Sequence, residues 1–280
     1  MAFKLSYIVR IMFWRGSLEL LGLSQVMRAY LLKILGFNDI ILTLPDHMRI
    51  IVSSDQLPDF FRNILHIYYY LDYAFAPEAV PKAGWRVIDA GAYLGAYTLW
   101  SAQKVGIDGE VVALEPHPRS RILLERTIKL NNLRNVRILP YALSTHDGKS
   151  TLYSPRYRAL SSLRREHPEY FCGEILEEHE VECVSLRTLL NIAGHEEIDL
   201  LKLDIEGLEY DVLKHSMSEL NRIRRILVEA HLNACSIPKL DKLLKDNGFE
   251  TIIKLDTRAE NQAFILATRK KLSEPTEPRQ

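Results

Sequence analysis

The sequence lacks the marks of several protein classes, beginning with cysteine. Its 280 residues contain only Cys172, Cys183 and Cys235. No two of them have the C-x-x-C spacing of a zinc knuckle or a redox dithiol. A sparse, odd set fits a reducing compartment and small buried side chains rather than a disulfide framework. We therefore expect a cytoplasmic protein.

Long apolar runs are also absent. No run approaches the roughly 18 residues that a membrane span needs, and the N-terminus lacks the apolar core and cleavage site of a signal peptide. Residues 3–23 instead predict an amphipathic helix with four charged positions, Lys4, Arg10, Arg15 and Glu19. We favour its packing against the main domain. Phe13 and Trp14 beside basic residues leave peripheral membrane contact as the second hypothesis.

Net charge is missing too, because 36 basic and 36 acidic residues cancel. This argues against the basic surface that nucleic-acid-binding proteins usually have, so we expect no nucleic-acid partner. Hydrophobic residues make up 47% of the chain, enough for a substantial core. The length allows one large domain with an appendage.

The order of predicted elements indicates an α/β fold. Residues 1–36 are predicted as helices broken near Gly16 and Gly22, followed by a short hairpin over 40–52. From residue 85, strands over 87–90, 111–115, 136–139, 198–203 and 226–229 alternate with helices over 96–104, 118–131, 206–215 and 238–247. Such alternation predicts a doubly wound, mostly parallel sheet. Two last strands are predicted over 251–255 and 263–267.

These patterns divide the chain into three parts. Residues 1–80 form a mainly helical N-terminal region, and 81–269 form the main domain. A polar insertion, which is either a solvated segment or a lid, interrupts that domain over 144–182. Residues 270–280 are charged and predicted to be a flexible tail.

A glycine turn follows the first strand of the main domain. Asp89 ends that strand, and Gly91 and Gly95 follow before a helix begins. Glycine permits a tight turn and the close approach of a ligand, and a helix N-terminus presents free N–H groups. Glu115 ends the next strand, where a carboxylate can accept hydrogen bonds from ribose hydroxyls. The combination predicts an adenine nucleoside cofactor in the crevice.

Two details favour S-adenosylmethionine over a nicotinamide dinucleotide. The loop reads Asp-Ala-Gly-Ala-Tyr-Leu-Gly, whereas a pyrophosphate usually requires Gly-x-Gly-x-x-Gly. Asp89 would also repel a pyrophosphate but tolerate a sulfonium or an ammonium group.

At this point the sequence resembles the FkbM-type methyltransferases. The similarity lies in residues 87–99, in Glu-Pro-His-Pro over 115–118, in Asp-Ile-Glu-Gly over 204–207 and in Val-Glu-Ala-His over 228–231. It implies a class I methyltransferase fold with a Rossmann-like sheet, and O-methylation of a sugar, glycolipid or secondary metabolite. It also implies that Asp89, Gly91 and Glu115 bind the cofactor, and that Tyr141 and Ala142 approach the adenine. We further expect Tyr93, Gly95 and Asp204 in the cofactor site.

Catalytic candidates lie at the next two strand ends. Residues two apart in extended chain share a face, which groups Lys202, Asp204 and Glu206, and likewise Glu229 and His231. We expect Asp204 or His231 to be the general base, with Lys202 in the same constellation. Dipole complementation at the helix start is the alternative role for Glu206.

Three alternatives remain open at this point. The first is a divalent metal held by Asp204, Glu206 and Glu229, since hard cations prefer oxygen ligands; it is not our favoured interpretation. A nicotinamide-dependent oxidoreductase is the alternative enzyme. A non-catalytic module that keeps the cofactor fold is the third.

Overall fold

A seven-stranded sheet forms the centre of the protein. The computed structural model describes residues 15–256, 258 and 262–270. The sheet order is β11-β12-β10-β9-β3-β4-β5, and all pairs are parallel except those that β12 makes with β10 and β11. The strands are β1 Asp39–Thr43, β2 Arg49–Ser53, β3 Arg86–Ala90, β4 Glu110–Leu114, β5 Val136–Leu139, β6 Tyr141–Leu143, β7 Gly148–Ser154, β8 Glu177–Val184, β9 Leu200–Leu203, β10 Arg225–His231, β11 Phe249–Leu255 and β12 Gln262–Arg269. The predicted doubly wound, mostly parallel sheet is confirmed.

Helices cover both faces of this sheet. They are α1 Leu23–Ile34, α2 Leu57–Ile64, α3 Ala96–Val105, α4 Pro118–Leu130, α5 Glu166–Cys172, α6 Leu186–Ala193, α7 Glu209–His215 and α8 Ile237–Asp246. One apolar core includes side chains of α1–α4, and the other includes side chains of α6–α8. Alternate residues of β3 divide between the cores, since Val87 faces the first and Ile88 the second. The buried sheet thereby holds its carboxyl edge rigidly.

The N-terminal region shares the first core rather than forming its own. The β1–β2 hairpin packs on α4, where Thr127 Oγ1 accepts from the Ile51 backbone N–H at 3.0 Å. Residues 15–21 are helical through Gly16, so the break predicted there is wrong, whereas the break at Gly22 is confirmed. Residues 1–14, which carry most of the predicted amphipathic helix, lie outside the described residues.

The insertion over 144–182 builds a second, smaller sheet. Its order is β6-β8-β7, with β8 antiparallel to β7 and parallel to β6. Helix α5 connects β7 to β8, with the short helical turn Arg158–Leu160 before it. The tail predicted over 270–280 has only residue 270 within the described range. No helix of the described residues is long and apolar enough to cross a membrane.

Candidate functional site

A cavity of about 790 Å³ opens at the carboxyl edge of the main sheet. In open α/β sheets this edge is where ligands bind. Most of the predicted cofactor residues line it, namely Gly91, Tyr93, Glu115, Tyr141, Ala142 and Asp204. Glu206 and Glu229 line it as well, and so does Tyr73, which the sequence patterns did not single out. Four of the predicted residues, Asp89, Gly95, Lys202 and His231, are not among its lining residues.

Gly91 has no space for a side chain. Its φ is +81°, and a Cβ built there would lie 1.8 Å from the backbone oxygen of Asp204. The glycine turn after β3 is therefore in direct contact with the chain after β9. Glycine is required at position 95 for a different reason, because a Cβ there would lie 2.3 Å from Leu124 of α4. Gly95 thus permits packing of α4 beneath the turn, and its contact with the cofactor stays a prediction.

Glu115 is held in place by the turns that surround it. Its carboxylate accepts from the backbone N–H of Tyr93 at 2.7 Å and from that of His117 at 2.8 Å. Each oxygen keeps a second lone pair for a ligand hydroxyl. Burial raises the pKa of Glu115 to about 8, although the two N–H donors oppose the shift. Its position at the cavity wall matches the predicted ribose-binding role.

We expect Glu115→Gln to weaken S-adenosylhomocysteine binding about tenfold, because a hydrogen bond between neutral groups contributes about 0.5–1.5 kcal/mol and the variant loses one acceptor for the ribose hydroxyls. The amide keeps the size of the side chain but has one acceptor oxygen instead of two. Titration calorimetry measures the change. Glu125→Gln, on the exposed surface of α4, is the matched control and should bind as the wild type does. Equal binding by both variants would remove Glu115 from the cofactor site.

Asp89 lies below the turn instead of in the cavity wall. Its side chain is fully buried, accepts from Thr98 Oγ1 at 2.6 Å and forms an ion pair with Lys202 at 3.1 Å. Lys202 Nζ also donates to the Gly91 backbone oxygen at 2.8 Å. Asp89 therefore supports the turn from beneath, and its direct contact with the cofactor stays a prediction. The sequence pattern did not reveal this because the lysine comes from a strand 113 residues away along the chain.

Lys202 connects Asp89, beneath the turn, to Asp204 in the cavity wall. Its ammonium lies 3.3 Å from Asp204 Oδ2. Burial opposes the charged form, but the carboxylates of Asp89 and Asp204 outweigh it and raise the pKa of Lys202. A permanently charged lysine cannot accept a proton, so we assign it a positioning role.

Three side chains from distant parts of the chain meet beside the cavity. The Tyr73 hydroxyl lies 3.0 Å from Asp204 Oδ2 and contacts Glu229 Oε2. Asp204 Oδ1 has no hydrogen-bond partner among the described residues. Burial and the neighbouring Asp204 charge raise the pKa of Glu229 to about 7. Burial also acts on Asp204, but Lys202 and His231 outweigh it and lower the Asp204 pKa.

His231 lies behind this group and is completely buried. Its Nδ1 is 3.0 Å from Glu209 Oε1, and its Nε2 is 3.2 Å from Glu206 Oε2. Burial disfavours the imidazolium, but Glu206 and Glu209 reverse that effect and raise the His231 pKa well above its usual value. A protonated imidazole has no free lone pair, and His231 does not reach the cavity. The structure therefore places His231 poorly for the predicted role of general base.

Glu206 does not begin a helix. Helix α7 begins at Glu209, and Glu206 precedes it with a φ of +55°. Its carboxylate lies 2.6 Å from His167 Nε2, which the insertion supplies from α5. The helix predicted over 206–215 thus starts three residues too early, and dipole complementation is not the role of Glu206. Glu206 instead connects the insertion to the carboxyl edge of the main sheet through its contact with His167.

The predicted metal ligands do not form one group. Among the described residues, Asp204, Glu229 and His231 have ligand atoms within 4.8 Å of one another. Glu206 belongs to a separate set with His167 and His231. The three-carboxylate set inferred from spacing is therefore corrected to two different sets that share a histidine.

Three of the four arginines of the insertion form ion pairs within the protein. Arg158 is buried, pairing with Asp55 at 2.6 Å, and Arg164 pairs with Asp211. Arg165 pairs with Glu169 at 2.9 Å. The insertion is thus a folded wall, since Tyr157, Leu160 and other residues of it line the cavity.

Comparisons with known proteins agree with this geometry. The family model described as Methyltransferase FkbM domain matches residues 89–251. Methyltransferase sdnD of Sordaria araneosa is 28% identical over 210 residues, covering 66% of this chain and 81% of that protein. Methyltransferase 1 of Beauveria bassiana is 27% identical over 187 residues, covering 60% and 73% respectively. The crystal structure of Methyltransferase FkbM from Methylobacillus flagellatus is 12% identical with a TM-score of 0.49, covering 76% of this chain and 53% of that one.

The match covers the glycine turn, Glu115, the Asp204 loop and the strand that carries Glu229. It decides between the two enzyme classes that the nucleotide-binding pattern left open, and it also argues against a non-catalytic module. The chain belongs to the FkbM methyltransferase family, and it is a class I methyltransferase that depends on S-adenosylmethionine.

Proposed function

We propose that the protein methylates a hydroxyl oxygen of a sugar, a glycolipid or a secondary metabolite. The observation that carries this proposal is Asp204, which lines the cavity and whose carboxylate contacts the Tyr73 hydroxyl through Oδ2. A neutral hydroxyl is a poor nucleophile, and a positioned base accelerates its reaction about 10²–10⁴-fold. An amine acceptor would need such a base less.

The carboxyl groups in and behind the cavity wall also suit a cationic cofactor. Five carboxyl groups lie around Lys202 and His231, namely Asp89, Asp204, Glu206, Glu209 and Glu229. An excess of buried carboxylates is stabilised by positive charge from a ligand. When bound, S-adenosylmethionine supplies an activated methyl group on a sulfonium centre. The protein has to align the acceptor oxygen with it and exclude water.

In the proposed proton path, the Asp204 carboxylate accepts the proton of the acceptor hydroxyl. Asp204 is connected through the Tyr73 hydroxyl to Glu229, whose higher pKa makes it the better proton store. Burial and the two carboxylates raise the pKa of Tyr73 well above its usual value, so its hydroxyl keeps its proton and stays a donor. Asp204 and Glu229 then titrate as one unit through Tyr73.

This path predicts that kcat rises with pH through about 7 and then levels off. Below the Glu229 pKa of about 7 the carboxyl already holds a proton, and above it the carboxylate is free to receive one. The pH profile of kcat with the wild type measures the effect. In Glu229→Gln, the rise of kcat near pH 7 should disappear. A profile that falls across neutral pH would contradict a base with this pKa.

The acceptor class is tested directly by transfer of an isotopically labelled methyl group. The probes are a panel of methyl glycosides, an extracted glycolipid and hydroxylated small molecules, with the matching amines as controls. We expect a labelled methyl ether, identified by mass spectrometry and NMR. Labelling of amines alone would contradict O-methylation while leaving the methyltransferase assignment intact.

Metal assistance is the competing explanation for the same carboxylates, since Asp204, Glu229 and His231 lie close enough to share an ion. We expect turnover to be unchanged by EDTA, because Lys202 already neutralises Asp204. Activity that is lost in EDTA and restored by Mg²⁺ or Mn²⁺ would replace the proton path with metal-assisted chemistry.

A further inference from the structure

Helix α1 has an apolar face that nothing in the described residues covers. Leu23, Met27, Leu31 and Ile34 follow one another at spacings of four, four and three, which places them on one side of the helix. Their exposed fractions are 60%, 61%, 55% and 80%. Two further apolar side chains, Leu35 and Phe37, continue the row at 63% and 53% exposure. We call these six residues the α1 stripe.

The opposite side of the same helix is already packed. Val26 and Ala29 are buried in the first core, and Gln25 fixes the helix by accepting from and donating to the backbone of Thr43 at 2.8 and 2.9 Å. A helix on the surface of a globular domain normally presents polar residues outward. Contiguous exposed apolar side chains of this kind mark a site of interaction.

The net charge of the N-terminal sequence that contains the α1 stripe indicates the partner. Residues 1–37 contain five basic residues and one acidic residue, a net charge of +4, and the rest of the chain therefore carries −4. The basic residues are Lys4, Arg10, Arg15, Arg28 and Lys33, and the acidic residue is Glu19. Positive charge beside an apolar face is the pattern that binds the boundary between anionic headgroups and acyl chains.

We propose that the α1 stripe binds the surface of an anionic lipid bilayer. A second copy of the chain fits the site less well, because a two-fold contact would bring two positively charged regions together. The sequence of residues 1–14 has the same character, since it contains two basic residues, no acidic residue and the aromatic residues Phe13 and Trp14.

Docking on this face would bring the cavity close to the lipid. Tyr30 belongs to α1 and lines the cavity. An acceptor anchored in the bilayer would then reach the site from the membrane side. The lipid-binding proposal does not depend on which atom is methylated, so it stands or fails separately from the proposed function.

Co-sedimentation of the full chain with vesicles tests the proposal. The probes are vesicles of phosphatidylcholine alone and of phosphatidylcholine mixed with phosphatidylglycerol. We expect binding to the anionic vesicles that weakens as salt is raised, since screening acts on the basic residues. Failure of the wild type to bind the anionic vesicles would overturn the proposal.

A substitution in the α1 stripe makes the test specific. Met27→Glu combined with Leu31→Glu should lower vesicle binding about tenfold or more, because it removes buried apolar area and adds repulsion from the headgroups. Ile107→Glu is the matched control, since Ile107 is 91% exposed in the turn before β4. Glutamate is a good helix former, so α1 should persist, as circular dichroism will verify.

Two further outcomes would overturn the proposal. One is equal vesicle binding by the double variant and the control, which would place the contact elsewhere. The other is a dimer of the wild type, seen by light scattering, that the double variant converts to a monomer without vesicle binding by either protein. That result would assign the α1 stripe to a second copy.

Discussion

Asp204→Asn is expected to lower kcat about 10²–10⁴-fold while leaving the affinity for S-adenosylhomocysteine nearly unchanged. The amide keeps the shape of the side chain and its contact with Tyr73, but it cannot accept the proton of a hydroxyl at neutral pH. The loss should therefore appear in the chemical step. Single-turnover kinetics together with titration calorimetry separate the two quantities.

The matched control is Asp246→Asn, which makes the same chemical change at an exposed position of α8 that pairs with Lys242 at 2.9 Å. It should keep both kcat and affinity. Tyr73→Phe provides an independent check, because it removes the hydroxyl that joins Asp204 to Glu229 and keeps the ring. Wild-type turnover by Asp204→Asn would exclude Asp204 as the base, and a loss of cofactor binding alone would assign it to the cofactor site.

Gly91→Ala is expected to abolish detectable cofactor binding and to lower the free energy of unfolding. A methyl group would overlap the Asp204 backbone oxygen, which lies 1.8 Å from the position of the new atom. Relief requires the turn after β3 or the chain after β9 to move, and both line the cavity. Calorimetric titration with S-adenosylhomocysteine and thermal unfolding measure the two effects.

Gly106→Ala separates the overlap from the backbone cost. Gly106 also has a positive φ, +68°, but a Cβ there would meet nothing within 4 Å. The control should lose only the about 1–3 kcal/mol that this glycine-favoured backbone conformation (φ +68°, ψ −169°) costs a residue with a side chain, and it should still bind the cofactor. If Gly91→Ala is no more damaging than Gly106→Ala, close contact between the two loops is not a requirement of the site.

The local parts of the site could be predicted from the sequence. The glycine turn and Glu115 each sit at the end of a buried strand, and the periodicity of parallel strands places such ends at one edge of a sheet. Backbone geometry and short sequence distance determine these positions. For the same reason, the predicted strand over 136–139 has the observed bounds.

The contacts between distant segments could not be predicted in this way. Thr98 and Lys202 hold Asp89 beneath the turn. The sequence pattern does not show that the folded sheet places Lys202 next to Asp89. Tyr73 reaches Asp204 across 131 residues from a segment without periodicity. The protonation of His231 follows from Glu206 and Glu209, whose combined effect exists only in the folded protein.

The insertion was the least predictable element. Its polar composition over 144–182 indicated a solvated segment, yet three of its four arginines pair with carboxylates and its strands belong to a sheet. Amino-acid composition does not show which charged side chains form ion pairs in the folded protein. His167 and Ser162 are the residues of this segment that bond to Glu206, and only the tertiary structure identifies them.

Titration of the wild type with S-adenosylhomocysteine, and separately with NADH, tests most directly whether the cavity at Gly91 and Glu115 holds the cofactor. We expect S-adenosylhomocysteine to bind at about micromolar strength, near −8 kcal/mol, with NADH giving no heat of binding. Binding should be lost in Gly91→Ala and weakened in Glu115→Gln. Binding of NADH alone, or of S-adenosylhomocysteine with equal strength to all three proteins, would contradict this placement of the cofactor.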